Sequence, residues 1–287
     1  MEILLWLVII IVLLALATGL ILSFYFTKRS YLGEVHTPDE YGLKYEPIEF
    51  TAKDGITLRG VWIPAEGSDK AVIYLHGHNS SHDFDIYKAV DLHSIGLNVL
   101  LFDFRAHGRS DGRMLTFGYK ERWDVLAAIK FLQTRGMKHI GLHGTSYGGL
   151  TAMLTAPICP EVEAVISDGG PSRLMTGAGA WADERGLPHW LTRVMAWLFF
   201  SMISVRLGVN LFRYEPVRWV GKIAPRPILF IHGDHDMFCA DFDDLYAAAR
   251  EPKELWRLPE AGHTTASALY PEEYTRRVTD FFNRYLK

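Results

Sequence analysis

The chain has 287 residues, 49% of them hydrophobic and 22% charged, and a formal net charge of −3. That balance belongs to a folded globular chain, and a weakly acidic chain without a basic stripe excludes nucleic acid as the expected partner. Cys159 and Cys239, the only cysteines, lie far apart without a CxxC spacing; they exclude a cysteine zinc site and are expected to be two isolated buried thiols rather than a disulfide.

The N-terminus comes first. Residues 3–26 run ILLWLVIIIVLLALATGLILSFYF without a charged side chain, and about 20 apolar residues suffice to cross the hydrocarbon core of a bilayer. A secretory signal would carry a basic region before a shorter apolar core, whereas only Glu2 precedes this run. Residues 1–27 are therefore read as a retained, single-pass transmembrane anchor. Lys28 and Arg29 follow it and no basic residue precedes it, which favours the cytoplasmic side for the rest of the chain. Residues 28–45 are polar, contain Gly33 and Pro38, and read as a linker, leaving residues 46–287 for one large domain.

In that domain, short apolar runs alternate with longer helical patterns. Residues 48–52 and 57–63 flank Asp54-Gly55 and predict an antiparallel hairpin. Residues 71–75 and 98–102 are continuous apolar runs, as in strands buried on both faces; 139–142, 164–166 and 228–231 repeat the pattern, and 254–258 is an eighth candidate. Helical spacing marks residues 119–134, 241–250 and 272–285. A hairpin followed by alternating strands and helices predicts a mostly parallel sheet covered on both faces. Residues 171–224 break the alternation: they have no strand signal but contain Trp181, Trp190, Met195, Trp197, Phe199, Phe200 and Met202, and they predict a helical insertion that packs as core or covers a site.

Three side chains stand where chemistry is expected. A serine hydroxyl is a weak nucleophile unless an imidazole takes its proton, a carboxylate orients that imidazole, and N–H groups receive the developing oxyanion. Gly144-Thr145-Ser146-Tyr147-Gly148-Gly149 lies between a strand and a helix, a turn that would present Ser146 at the strand end, with glycines where Cβ atoms would clash. His232-Gly233-Asp234-His235-Asp236 follows a later strand; Asp236 lies past the strand end and is the expected acid, with Asp234 second and better suited to shaping the turn. Glu260-Ala261-Gly262-His263 precedes the final helix, so that His263 completes the order serine, aspartate, histidine. The backbone N–H groups of Tyr147 and of His78, in the loop His76-Gly77-His78-Asn79, are the expected oxyanion donors.

Together the segments LHGHNSS (75–81), DFRAHGRSDG (103–112), GTSYGG (144–149), HGDHD (232–236) and AGH (261–263) resemble the α/β-hydrolase superfamily, in its lipase, esterase and oligopeptidase-like serine hydrolases. The resemblance runs from about residue 46 to the C-terminus. It implies an α/β-hydrolase fold of about eight strands with a helical cap at 171–224, and acyl transfer to water through Ser146, His263 and Asp236 with no metal or organic cofactor. It also implies that Asp103, Arg105 and Gly108 belong to a structural loop beside the site. Two positions depart from the pattern: Ala106 stands where the family usually has glycine, tightening that turn, and Tyr147 stands where many lipase-like members carry methionine or glutamine. Tyr147 resembles the oligopeptidase-like branch, whose propeller gate has no counterpart here, and the serine at 146 argues against dehalogenase chemistry, which needs aspartate. The expected substrate is a carboxylic ester or thioester with a hydrophobic acyl group, including lipids at a membrane surface. An amidase or peptidase of small substrates is the enzymatic alternative, and a catalytically silent, membrane-tethered binding protein is the alternative of another class.

Overall fold

The computed structural model describes residues 1–30 and 36–287. Two strands, β1 (Glu46–Thr51) and β2 (Thr57–Ile63), pair antiparallel across a tight turn in which Gly55 takes φ 84°. Next come β3 (Lys70–Leu75), α2 (Ile86–Ser94), β4 (Asn98–Phe102), α3 (Glu121–Thr134), β5 (His139–Thr145), α4 (Tyr147–Thr155) and β6 (Val162–Asp168). After an insertion the chain resumes with β7 (Ile228–Gly233), α7 (Phe242–Ala248), β8 (Lys253–Leu258), the short α8 (Ala266–Leu269) and α9 (Pro271–Tyr285); α1, α5 and α6 are placed below. The eight-stranded sheet has the order β1-β2-β4-β3-β5-β6-β7-β8 and is parallel from β4 through β8.

This order follows from what the strands bury. Along β3, Ala71, Ile73 and Leu75 point to one face and Val72 and Tyr74 to the other, and all five are buried. The first face packs under α3, α4 and α7 through Val125, Ile129, Met153 and Leu245, the second under α2 and α9 through Ile86, Leu92, Val278 and Phe282. Connections reverse direction at β3: the chain first crosses to β4 on one side and then to β5 on the other. In open α/β sheets a ligand crevice forms outside the carboxyl ends of the strands at such a reversal, here beyond Leu75 and Thr145.

The strands match the sequence expectation to within a few residues at each end. Helix α2 was not anticipated, because its nine residues, IYKAVDLHS, break the apolar stripe with Lys88, which is buried all the same. Helix α7 is shorter than residues 241–250, since Cys239–Asp241 forms a 3-10 turn instead. Only Cys159 is buried; Cys239, on that turn, is half-exposed and corrects the expectation of two buried thiols.

Between β6 and β7 lie α5 (Gly177–Arg185), α6 (His189–Leu207) and three 3-10 turns, where residues 171–224 had no strand signal. Phe200, Ile203 and Leu211 form a separate apolar cluster there, against Phe117 and Leu174. The charge-free N-terminal run forms one helix, α1 (Glu2–Thr27), in which only Gly19, Ser23 and Thr27 are buried. At 26 residues it is about 39 Å long, more than the ~30 Å hydrocarbon layer. Part of the expected linker, residues 31–35, lies outside the described residues. On either side of that part the stretch is structured, because Lys28 bridges Met114, Ser30 bridges His107 and Pro38–Tyr41 forms a 3-10 turn capped by Thr37 and Glu40.

Candidate active site

Ser146 occupies the residue between β5 and α4 with φ 53° and ψ −111°, a conformation that L side chains rarely adopt. Its N–H donates to the Asp168 carbonyl at 2.7 Å, tying the turn to the end of β6. Close packing imposes the flanking glycines. A Cβ on Gly144 would overlap the Gly148 backbone, and one on Gly148 would overlap the Leu75 carbonyl oxygen. One on Gly149 would lie 2.8 Å from the Ser167 Oγ.

The structure brings His263 and Asp236 to this serine. Ser146 Oγ donates to His263 Nε2 at 2.8 Å, and His263 Nδ1 donates to Asp236 Oδ2 at 2.9 Å. Asp236 is only 5% exposed, and its other oxygen accepts the Phe238 N–H at 2.8 Å, so both oxygens are engaged. Gly169, at φ 65°, backs this pair: a Cβ there would stand 3.3 Å from Asp236 Oδ2 and 3.4 Å from His263 Cε1. Asp234 is not part of the constellation. Its carboxylate accepts from Arg257 Nε at 2.5 Å on the outer surface instead of shaping the turn, because two residues of loop past β7 are what swing a carboxylate inward.

His78, Ser146 and Tyr147 line one cavity of about 130 Å3. Among the described residues, neither the His78 nor the Tyr147 N–H is engaged in a turn or loop hydrogen bond. Gly77 brings the loop alongside Ser146, its Cβ position lying 3.7 Å from the Ser146 Cβ. Phe117, Leu150, Leu174, Phe200 and Phe238 make the rest of the cavity predominantly apolar. Arg173 also lines it, its guanidinium donating to Asp241 and Asp244 at 2.9 Å each.

Behind the two candidate donors stands His76, which the sequence reading left without a role. Its Nδ1–H donates to the Gly77 carbonyl at 2.7 Å and its Nε2 accepts the Phe104 N–H at 3.0 Å, so the neutral ring joins the loop of β3 to that of β4. Burial pushes the His76 pKa down, and burial takes His107, in ring contact with it, down to about 3. The 103–112 loop is held by charge: Asp103 accepts the N–H groups of His82 and Arg109 at 2.8 Å, and Arg105 is clamped between Asp124 and Asp54. A Cβ on Gly108 would overlap the Asp103 carboxylate, which accounts for that glycine, whereas Ala106 takes φ 59° in spite of its side chain.

A second group of residues missed by the sequence reading lies beneath the elbow, the sharp turn between β5 and α4 that carries Ser146. Lys88, 4% exposed, donates to Tyr74 OH at 3.0 Å and Thr145 Oγ1 at 3.3 Å, with Asp85 at 3.2 Å and Asp168 at 4.0 Å. Tyr274 OH donates to Asp168 Oδ2 at 2.9 Å. Burial opposes the Lys88 ammonium, but Tyr274, Tyr74, Asp85 and Asp168 together hold its pKa well above the ordinary value. Thr145 precedes Ser146 and Asp168 receives the Ser146 N–H, so the network fixes the residues that fix Ser146. A lysine inside a short amphipathic stretch reads locally as a surface residue; no signal in the sequence marked it.

Among the described residues, no cluster of three His, Cys, Asp or Glu side chains is arranged to hold a metal ion. Comparison with known proteins agrees with the architecture. The profile of the alpha/beta hydrolase family matches residues 72–277. The protein YfhR of Salmonella typhimurium is 27% identical over 283 residues, covering 91% of each chain. The thiohydrolase aneE of Aspergillus aculeatus is 32% identical over 148 residues, 46% of each chain. The solved esterase Pf2001 of Pyrococcus furiosus superposes with a TM-score of 0.75 at 29% identity, over 91% of this chain and all of that one. With this sheet order, the reversal at β3 and a family match across most of its length, the chain belongs to the alpha/beta hydrolase family.

Proposed function

We propose that the chain is a serine hydrolase that cleaves a carboxylic ester or thioester carrying a hydrophobic acyl group. The observation that carries this reading is the unbroken series from Ser146 Oγ through His263 to the buried Asp236, at 2.8 and 2.9 Å. Ser146 Oγ attacks the carbonyl carbon as its proton passes to His263 Nε2. Asp236 holds the tautomer and stabilises the imidazolium. The carbonyl oxygen becomes an oxyanion facing the His78 and Tyr147 N–H groups, each donor being worth about 3–4 kcal/mol in the transition state. His263 then protonates the departing alkoxide or thiolate, and water, activated by the same imidazole, hydrolyses the acyl-enzyme.

The cavity supports this substrate class. At about 130 Å3 with an apolar lining it approaches the size of an engineered protein cavity of ~150 Å3 that holds benzene, so an acyl group of about six heavy atoms fits without rearrangement. A longer chain requires the cap to move. The names of two relatives, an esterase and a thiohydrolase, fit ester or thioester chemistry. We further propose that α1 anchors the enzyme in a membrane, with the catalytic domain on the cytoplasmic side, from the helix that is charge-free over residues 3–26 and the Lys28-Arg29 pair that follows it.

Covalent labelling with a fluorophosphonate probe tests the chemistry. Wild type is expected to label and Ser146→Ala to remain unlabelled; a folded wild type without label removes the hydrolase reading, and a labelled Ser146→Ala removes the nucleophile. Hydrolysis panels of acyl esters and thioesters against aminoacyl amides test the substrate class, and a clear preference for amides overturns it. A reporter fused to the C-terminus reads the topology, and a signal outside the cytoplasm reverses the orientation.

A further inference from the structure

Helix α1 does not simply lead away from the domain. Its buried positions Gly19, Ser23 and Thr27 recur every four residues and face α6. A Cβ on Gly19 would stand 3.4 Å from the Leu198 Cβ and 3.6 Å from the Met202 Cγ, so the absence of a side chain is what lets the two helices approach. At the next turns Arg206 of α6 donates to the Ser23 carbonyl at 2.6 Å and to Thr27 Oγ1 at 3.1 Å, with its guanidinium 3.7 Å from the centre of the Phe24 ring. Between these contacts Phe26 meets Phe199 edge to face at 5.9 Å.

That ring contact continues to the nucleophile. Phe199 packs on Phe200 at 4.8 Å and on Phe117 at 5.8 Å, and Phe117 packs on Tyr147, the residue after Ser146, at 6.4 Å. Phe117 and Phe200 are two of the walls of the cavity. The end of α1 also grips the loop that carries Phe117. The Thr27 carbonyl accepts the Leu115 N–H at 3.0 Å, Ser30 exchanges backbone bonds with Ala106 and Gly108 at 2.8 and 3.0 Å, and Arg29 donates to the Gly108 carbonyl at 3.0 Å. Phe117 itself sits at φ 50°, a conformation that persists in a bulky residue only when its surroundings hold it.

We infer that α1 is a specificity-determining part of the acyl pocket as well as an anchor: by holding α6 and the loop before Phe117 together, it sets which acyl groups reach Ser146. This rests on the hydrolase reading above. Without the helix contact, the α6 face that bears Leu198 and Met202 loses its cover, Arg206 loses its acceptors, and the Phe117 and Phe200 walls are free to part.

The test uses the full-length protein in detergent micelles, with p-nitrophenyl butyrate and octanoate as substrates and a small fluorophosphonate as active-site probe. Gly19→Leu, which drives a side chain into α6, is expected to raise the octanoate-to-butyrate ratio of kcat/KM by about tenfold, the scale on which pocket contacts discriminate acyl groups. Arg206→Ala, which removes the polar clasp without adding bulk, is expected to shift the ratio in the same direction and decides the matter if Gly19→Leu does not fold. Ile21→Ala, on the exposed face of α1, is expected to leave it unchanged. Wild type that labels while Gly19→Leu, or Arg206→Ala in its place, keeps the wild-type ratio overturns the inference alone. Wild type that does not label overturns the hydrolase reading beneath it.

Discussion

Ser146 carries backbone strain that a glycine would release, and this makes a prediction opposite in sign to the usual effect of mutating an active-site residue. At φ 53° and ψ −111° a side chain costs about 1–3 kcal/mol relative to an unstrained residue. Comparing Ser146→Gly with Ser146→Ala isolates that term, since both variants lose the 2.8 Å hydrogen bond to His263 and differ only by a methyl group. Glycine also loses more chain entropy on folding, an offset of about 0.4–1 kcal/mol. The net expectation is that Ser146→Gly is more stable than Ser146→Ala by about 1 kcal/mol, which in a chain of this size corresponds to a Tm higher by roughly 2–4 °C. Differential scanning calorimetry of both variants in the same detergent, with fluorophosphonate labelling absent in each, measures this. An alanine variant that melts at or above the glycine variant refutes the claim that the elbow stores strain.

Asp236→Asn is expected to lower kcat by about 10^3–10^4 while leaving the fold intact, since it deprives His263 of its tautomer-fixing partner, whereas Asp234→Asn stays within about twofold; comparable losses in steady-state assays would move the acid to position 234. Lys88→Met leaves Asp85 and Asp168 without their buried cation and is expected to destabilise by about 3–5 kcal/mol in urea unfolding, with Lys88→Arg falling between; a loss below about 1 kcal/mol would show that the network carries no load. His107 gives a pH dependence. Its folded pKa of about 3 lies below the ordinary ~6.5, so below pH ~6.5 the unfolded chain binds a proton that the folded one refuses, and stability falls as pH falls towards 3. Between pH 7 and 5 this amounts to about 2 kcal/mol from His107 alone. His107→Gln should flatten the pH dependence of the unfolding free energy by that amount, and an unchanged slope rejects the assignment.

Local pattern was enough for much of this protein. Apolar runs of β type buried on both faces marked the parallel strands, and a glycine-flanked serine between strand and helix marked the elbow, because strand periodicity and tight-turn sterics act over a handful of residues. Placing Asp236 rather than Asp234 beside His263 also needed only the distance past the strand end at which a loop can turn back. The charge-free run before Lys28 marked a helix long enough for a bilayer by composition alone. What lay beyond local pattern depends on contacts between distant segments. Lys88 meets Thr145 57 residues away, and Arg206 meets Ser23 183 residues away. His76 draws its role from Phe104 on a neighbouring loop. Such pairings leave no periodicity for a sequence to display, since each partner satisfies its own local rules and only the folded backbone brings them within hydrogen-bonding reach. Tertiary structure alone therefore decided what holds Ser146 in place, and that the helix expected to be only an anchor packs against α6 beside the candidate site.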